Sequence, residues 1–268
     1  MAIKTDDAWW LQQQVSRTRI ELSSPHRPSI SAPSPSASNR GACPLCKGAG
    51  YLRNDVAPGH PFFGKPVACK CKAAELGRKR RQQLYDLSGL RAYREKRFTG
   101  FNPRIPGVQE AYREAREYAL HPDGWLVLLG GNGCGKTHLV AAIANDCFDQ
   151  GWAVYCASVP DMLDHLRSAF APTAPVAYDQ LLTIVRTAEP LVLDDLGAEQ
   201  ASAWAGEKLF QLIDYRYTSR LPTVVTANGA ALQAIDERVR SRLQDSSLSK
   251  VVTMDRARDY RPFNRGPG

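Results

Sequence analysis

No stretch of this 268-residue chain approaches the ~20 consecutive apolar residues that a membrane-spanning helix needs. A membrane protein is therefore not expected. The opening MAIKTDDAWW carries acids where a secretory signal needs a basic start and an apolar run, so the expected location is cytoplasmic. Seven cysteines are an odd number with no export signal, which speaks for a reducing compartment and against a disulfide framework. No internal repeat is visible. What remains is an ordinary globular composition, 43% hydrophobic and 23% charged, in a length that suits one generous domain or a medium one with appendages.

The net charge of +8 is unevenly spread: residues 1–40 carry +2, residues 41–105 carry +10 and residues 106–268 carry −4. A basic segment on a mildly acidic body suits contact with nucleic acid or an acidic partner, or else a solvated basic helix. Residues 1–22 suit a short amphipathic helix around Trp9, Trp10, Leu11 and Val15. That helix would either anchor a partner or fold back on the body. The Ser/Pro-rich SSPHRPSISAPSPSASNR has almost nothing to bury and reads as a linker. The expected divisions are a flexible segment and linker at 1–40, a metal module at 41–72, a basic connecting helix at 73–97, an ATPase domain at 98–262 and a tail at 263–268.

From Phe98 onward, apolar strands without polar alternation (WLVLL, WAVYCAS, PLVLDD, PTVVTAN, SLSKVVTM) alternate with helical patterns. In WAGEKLFQLIDYRYTSR, Leu209, Leu212, Ile213 and Tyr217 share one face, and AALQAIDERVRSRLQ reads as one helix. Such a pattern means a parallel sheet covered by helices, an α/β fold.

WLVLL runs directly into Gly130-Gly131-Asn132-Gly133-Cys134-Gly135-Lys136-Thr137, which satisfies GxxxxGK[ST], with His138 next in the cradle. Glycines let successive backbone amides face phosphates at a helix N-terminus. Lys136 supplies charge near the β- and γ-phosphates and Thr137 a hydroxyl for Mg²⁺, so ATP is the expected ligand. The second half of such a site is an acid at the end of another buried strand, and LVLDD supplies Asp194 and Asp195. Two adjacent carboxylates after an apolar run are costly to bury without a cation or a water relay. Asp194 is accordingly assigned to the Mg²⁺ shell and Asp195 to polarising the attacking water. PTVVTAN ends in Asn228, an amide placed to orient that water or touch the γ-phosphate, although Asn at a strand end is also a common turn residue. Arg238 and Arg242, four apart, either form surface pairs with Asp236 or Asp245 or reach a neighbouring subunit's γ-phosphate.

Taken together, FTGFNP, GGNGCGKT, LVLDDLGAE, LFQLIDYRY, PTVVTAN, ERVRSRL and the late DYR resemble the DnaC/IstB-type family of AAA+ ATPases. That family includes helicase loaders and transposition helper ATPases, and the resemblance spans residues 98–261. It implies an AAA+ sheet, a sensor role for Asn228, an arginine finger at Arg242 with Arg238 as second candidate, and self-association into a ring or spiral. The acid pair is Asp-Asp rather than the Asp-Glu of most AAA+ proteins, which suits slow hydrolysis. Only 25 residues follow Leu243, so no C-terminal helical lid is expected.

Cys43-Pro-Leu-Cys46 and Cys69-Lys-Cys71 lie within 29 residues, the arrangement of two knuckles holding a structural zinc ion. The second pair is CxC rather than CxxC, His60 is a possible substitute ligand, and the alternatives are an iron–sulfur cluster or redox pair, or unligated thiols. So short a module has no core of its own, and metal would supply its folding energy. Cys134, Cys147 and Cys156 read as core or loop thiols. Arg78, Lys79, Arg80 and Arg81 form the densest positive cluster, suited to single-stranded nucleic acid or an acidic helicase surface. The leading expectation is a helicase loader whose partners are a replicative DNA helicase, single-stranded DNA and copies of itself. A transposition helper acting on duplex DNA comes second, and a zinc-mediated adaptor that hydrolyses little ATP comes third.

Overall fold

The computed structural model describes residues 43–61, 63–198, 202–257 and Asp259. The expected tryptophan helix, the Ser/Pro linker and the tail at 263–268 lie outside them. The chain forms two compact units that divide between Ala73 and Ala74.

In the smaller unit, β1 (Tyr51–Arg53) and β2 (Pro66–Ala68) pair antiparallel, with Tyr51 opposite Ala68. Ahead of them the Cys43–Cys46 knuckle closes through Lys47 N–H to Cys43 O at 2.7 Å and Ala49 N–H to Cys46 O at 2.9 Å. The chain reverses there because Lys47, Gly48 and Gly50 all take positive φ, cheap for the glycines. Cys69 N–H reaches back to Gly50 O at 2.9 Å, which brings the second cysteine pair beside the first. Helix α1 (Lys70–Leu87) follows.

The larger unit is built on five parallel strands: β3 (Trp125–Leu129), β4 (Tyr155–Ser158), β5 (Leu191–Leu196), β6 (Thr223–Ala227) and β7 (Ser249–Thr253). Their spatial order is β4-β5-β6-β3-β7. The helices are α2 (Gln109–Leu120), α3 (Lys136–Asp149), α4 (Val159–Ser168), α5 (Tyr178–Arg186), α6 (Ala203–Thr218), α7 (Gly229–Ala234) and α8 (Glu237–Leu243).

Successive side chains of a strand point to opposite faces. Trp125, Val127, Leu191, Leu193 and Val225 therefore enter one core with α4, α5 and α6, while Leu126, Leu128, Val192 and Val224 enter another with α2 and α3. Both faces are buried, which is why the strands read as unbroken apolar strings.

Two expectations are corrected. AALQAIDERVRSRLQ is not one helix: Ile235 is extended at ψ 164°, and Asp236 caps a new helix by accepting from Arg238 N–H at 2.8 Å. Aspartate is a strong N-cap, and its carboxylate outcompeted helix continuation. Residues 74–97 belong to the larger unit rather than forming a separate connector. Leu84 and Leu90 are fully buried, Arg80 Nη2 donates to Thr187 O at 2.5 Å, and the Arg81 guanidinium lies 5.4 Å from the Phe148 ring. Only Arg78 and Lys79 of the basic cluster are fully surface-exposed.

Candidate nucleotide site and cysteine centre

Parallel register puts the C-terminal ends of β3, β6 and β5 at one edge, since Leu129 aligns with Ala227 and Ala227 with Leu196. Open α/β sheets bind ligands at that edge. The loop after β3 begins with Gly130 N–H donating to Ala227 O at 3.3 Å. It then turns through Gly133 at φ +71° and Gly135 at φ +102°, left-handed conformations that favour glycine. A Cβ on Gly135 would meet the Phe101 ring at 2.8 Å, so the FTGFNP segment closes directly over the loop. Lys136 is buried, and its Nζ donates to Gly130 O and Gly131 O, both at 2.9 Å. Thr137 is half-buried in the first turn of α3 and Asn132 is exposed.

His138 does not join a free cradle surface. Its Nε2 sits 2.8 Å from Arg97 O, and its ring meets Phe101 edge-on at 5.3 Å. Asn145, further along α3, donates to Tyr93 O at 2.9 Å and Lys96 O at 3.0 Å. Arg97 in turn pairs with Asp149 and Asp146 at the helix's end.

At β5, Asp194 is buried and its Oδ1 accepts from the Thr226 hydroxyl at 2.6 Å. The same oxygen of Thr226 accepts Asp195 N–H at 2.8 Å. One buried hydroxyl thus holds both halves of the acid pair. Asp195 has φ +62°, and the ladder to β6 slips between Leu193 and Leu196. Backbone in this region is costly for a non-glycine residue and re-aims its side chain, here an exposed carboxylate beside a buried one. Asn228 follows β6 and caps α7, its Oδ1 accepting from Ala230 N–H at 3.1 Å.

The structure therefore gathers Gly130 to Thr137, Asp194, Asp195 and Asn228 at one sheet edge. Arg238 and Arg242 sit together on α8, which packs on α6. Arg238 pairs with Asp236 at 2.8 Å and stacks 3.9 Å above the Phe210 ring. That pairing holds the Asp236 carboxyl down at about 2. Arg242 pairs with Asp214 at 2.5 Å, not with Asp245, which instead accepts from Tyr217 OH.

Three residues escaped the sequence reading. Thr226 read as one more strand residue. Phe101 lay in a segment read as loop. Arg216 sits fully buried, donating to Thr223 Oγ1, Arg186 O, Ala188 O and Pro222 O, and burial pulls it down to about 9.

In the smaller unit the sulfurs of Cys43, Cys46, Cys69 and Cys71 all lie within 4.8 Å of one another. Cys46 and Cys71 stand 3.4 Å apart and Cys43 and Cys69 3.8 Å apart. Four thiolates about 2.3 Å from a central tetrahedral ion stand about 3.8 Å apart, so the donors fit zinc. Burial resists ionisation of Cys46, but backbone amides of Gly50 and Gly48 and the neighbouring thiols bring it down to about 7. Cys71, hydrogen-bonded to Cys46, is pushed up to about 12. His60 is not part of the group. Burial raises Cys147 to about 12 and Cys156 further still, which marks both as inert core thiols.

Residues 120–257, just over half the chain, match the family of IstB-like ATP binding proteins. The chain belongs to that family. Among individual relatives of this IstB-family chain, the replicative helicase loader DnaC of Escherichia coli (strain K12) is 27% identical over 196 residues, covering 69% of this chain and 80% of that protein. A crystal structure of the DnaC helicase loader superposes with a TM-score of 0.54 at 23% identity, over 61% of this chain and 99% of that one. AMPPCP-bound DnaA from Aquifex aeolicus does so with a TM-score of 0.52 at 17% identity, over 65% and 57%. These likenesses establish the AAA+ P-loop fold. Among the described residues no helix is long and apolar enough to cross a membrane.

Proposed function

We propose that this IstB-family protein is an ATP-dependent helicase loader of DNA replication. It would grip a replicative helicase and single-stranded DNA while bound to ATP, and let go on hydrolysis. The observation that carries the reading is the convergence of Gly130–Thr137, Asp194, Asp195 and Asn228 at one sheet edge. It occurs in a chain that covers four-fifths of a DnaC loader's length.

In this reading the amides of Gly133 to Thr137 cradle the phosphates, and Lys136 transfers its hydrogen bonds from the loop carbonyls to the β- and γ-phosphate oxygens. Thr137 and Asp194 would hold Mg²⁺, which neutralises developing phosphate charge when bound. Thr226 fixes the Asp194 rotamer, and the left-handed turn at Asp195 presents its carboxylate to the attacking water. Asn228 orients that water. Arg242, held by Asp214 and Phe210, completes the site of a neighbouring subunit in a ring or spiral, with Arg238 beside it.

Single-stranded DNA binds to the aromatic surface where α4, α5 and α6 meet. There Phe170, 56% exposed, stacks on Tyr178 at 4.2 Å. Arg167 lies 4.9 Å from the Trp204 ring and Lys208 5.5 Å from the Tyr178 ring. Aromatic faces flanked by cations suit bases on a phosphate chain. The zinc-held unit grips the helicase through Leu45, Tyr51, Phe63 and Val67, each more than 40% exposed.

A second reading, implied by the resemblance to IstB-type proteins, is a transposition helper acting on duplex DNA with a transposase. Tagged Asp195→Asn protein, purified from its host with ATP, separates the two. Recovery of a replicative helicase is expected. A transposase without helicase would overturn the loader reading.

A further inference from the structure

Beyond β7 the chain turns back across the phosphate loop. Met254 N–H donates to Leu129 O at 2.7 Å, and Ala257 N–H closes a turn onto Met254 O at 3.1 Å. A Cβ on Gly130 would meet Met254 Cβ at 3.0 Å, and one on Gly107 would lie 2.7 Å from both Ala257 N and the Arg256 carbonyl carbon. Three backbone approaches thus lay residues 254–257 against the loop and the segment before α2.

They deliver the carboxylate of Asp259 onto Gly133. Its Oδ1 lies 1.7 Å, and its Oδ2 2.9 Å, from the point a Cβ on Gly133 would occupy. No side chain at 133 is compatible with that contact, and φ +71° independently favours glycine.

We propose that Asp259 is a built-in competitor for nucleotide phosphate. The loop's amides and the N-terminus of α3 attract any anion. A carboxylate carried by the chain itself lies against Gly133 of that loop, an anion where the loop would receive anions. Nucleotide binding therefore bears the repulsion of this charge, swings the Asp259 side chain aside, or shifts the segment that carries it, whose residues 254–257 are held on Leu129 and Gly107. The affinity for nucleotide is set lower than the loop alone would give, and anything that lifts the segment raises it. The inference rests on residues 130–137 being the phosphate cradle.

The test is isothermal titration of the full chain with Mg-ADP and with adenosine, comparing the parent with Asp259→Asn, Asp259→Ala and Asp259→Glu. The neutral variants should bind Mg-ADP about 3- to 10-fold tighter, the size of one like-charge contact a few ångströms away in a partly solvated site. The gain should shrink at high salt. Asp259→Glu should stay near the parent, and adenosine affinity should not change. Equal or weaker ADP binding by both neutral variants would overturn the proposal. So would a gain that adenosine shares, because the effect would then be one of shape rather than charge. A parent chain that binds no ADP would instead overturn the cradle reading, and this inference with it. Thermal melts of all four proteins identify any variant that fails to fold, and the remaining neutral variant then decides.

Discussion

Replacing Thr226 by valine keeps the shape of a fully buried side chain and removes one hydroxyl. That hydroxyl donates to the Asp194 carboxylate at 2.6 Å and accepts Asp195 N–H at 2.8 Å. A hydrogen bond to a charged acceptor contributes about 1.5–3 kcal/mol and one between neutral groups about 1 kcal/mol. The combined loss is about 3 kcal/mol before relaxation. For a unit near 200 residues each kcal/mol moves the melting temperature by about 2–4 °C, so Thr226→Val should melt about 6–12 °C lower. Thr226→Ser restores the hydroxyl and most of that loss. Calorimetry on nucleotide-free protein reads the stability, and steady-state phosphate release at a temperature where all three proteins are folded reads the site. If Thr226 does position both carboxylates, turnover falls in the valine variant and returns in the serine one. A valine variant that melts within about 1 °C of the parent would show that the hydroxyl does not hold the acid pair in solution.

The cysteine centre should contain one zinc per chain by elemental analysis, and Cys46→Ser should lose it together with the β1–β2 hairpin, read by amide exchange. Phe170→Ala with Trp204→Ala should weaken binding of a fluorescent oligothymidine by about tenfold or more, since each stacked base contributes about 1–3 kcal/mol. Nucleotide affinity should be unaffected. Glu114, buried between Lys250 and Arg113, and Asp245, accepting from Tyr217, are both held below the ordinary carboxylate range. Carboxylates depressed in the folded state contribute stability that is full above the unfolded value near 4 and lost as pH falls through the folded one. The melting temperature should therefore fall as pH drops below about 4, and Glu114→Gln should flatten that drop.

The cradle was legible because its demands are local. A strand, a run of glycines, a lysine and a helix follow one another within 20 residues, and each type has one physical reason to be there. Both cores were legible too, since burial on two faces removes polar alternation from every strand. What escaped depends on contacts that no window of sequence contains. Thr226 matters only because β6 lies beside β5, which the order of strands in the chain does not reveal. Asp195 gives no sign of its left-handed backbone, since the bulge that causes it is a property of the strand pair. The basic cluster read as one positive surface because a count of charges ignores helical phase: Arg80 and Arg81 turn inward to Thr187 and Phe148. The break at Asp236 was written in the sequence as a capping residue inside an apolar pattern, and there the pattern was read ahead of the cap. The Arg216 position shows the converse, a charged residue on a helix that buries completely because the carbonyls of Arg186, Ala188 and Pro222, at the end of α5 and ahead of β5 and β6, need donors.

The strip from Tyr93 to Phe101 is clamped along α3 by Asn145, His138 and the Asp146–Asp149 pair, and Phe101 sits on Gly135. Any attempt to excise the larger unit by cutting at residue 98, where the sequence motifs begin, would take away residues that pack on the far side of helix α3. The cut would also strip the buried Leu90 from the core cluster it shares with Leu139 and Ile143. The shortest autonomous fragment should start near Ala74, and a fragment starting at 98 should expose apolar surface to dyes such as ANS and aggregate on warming.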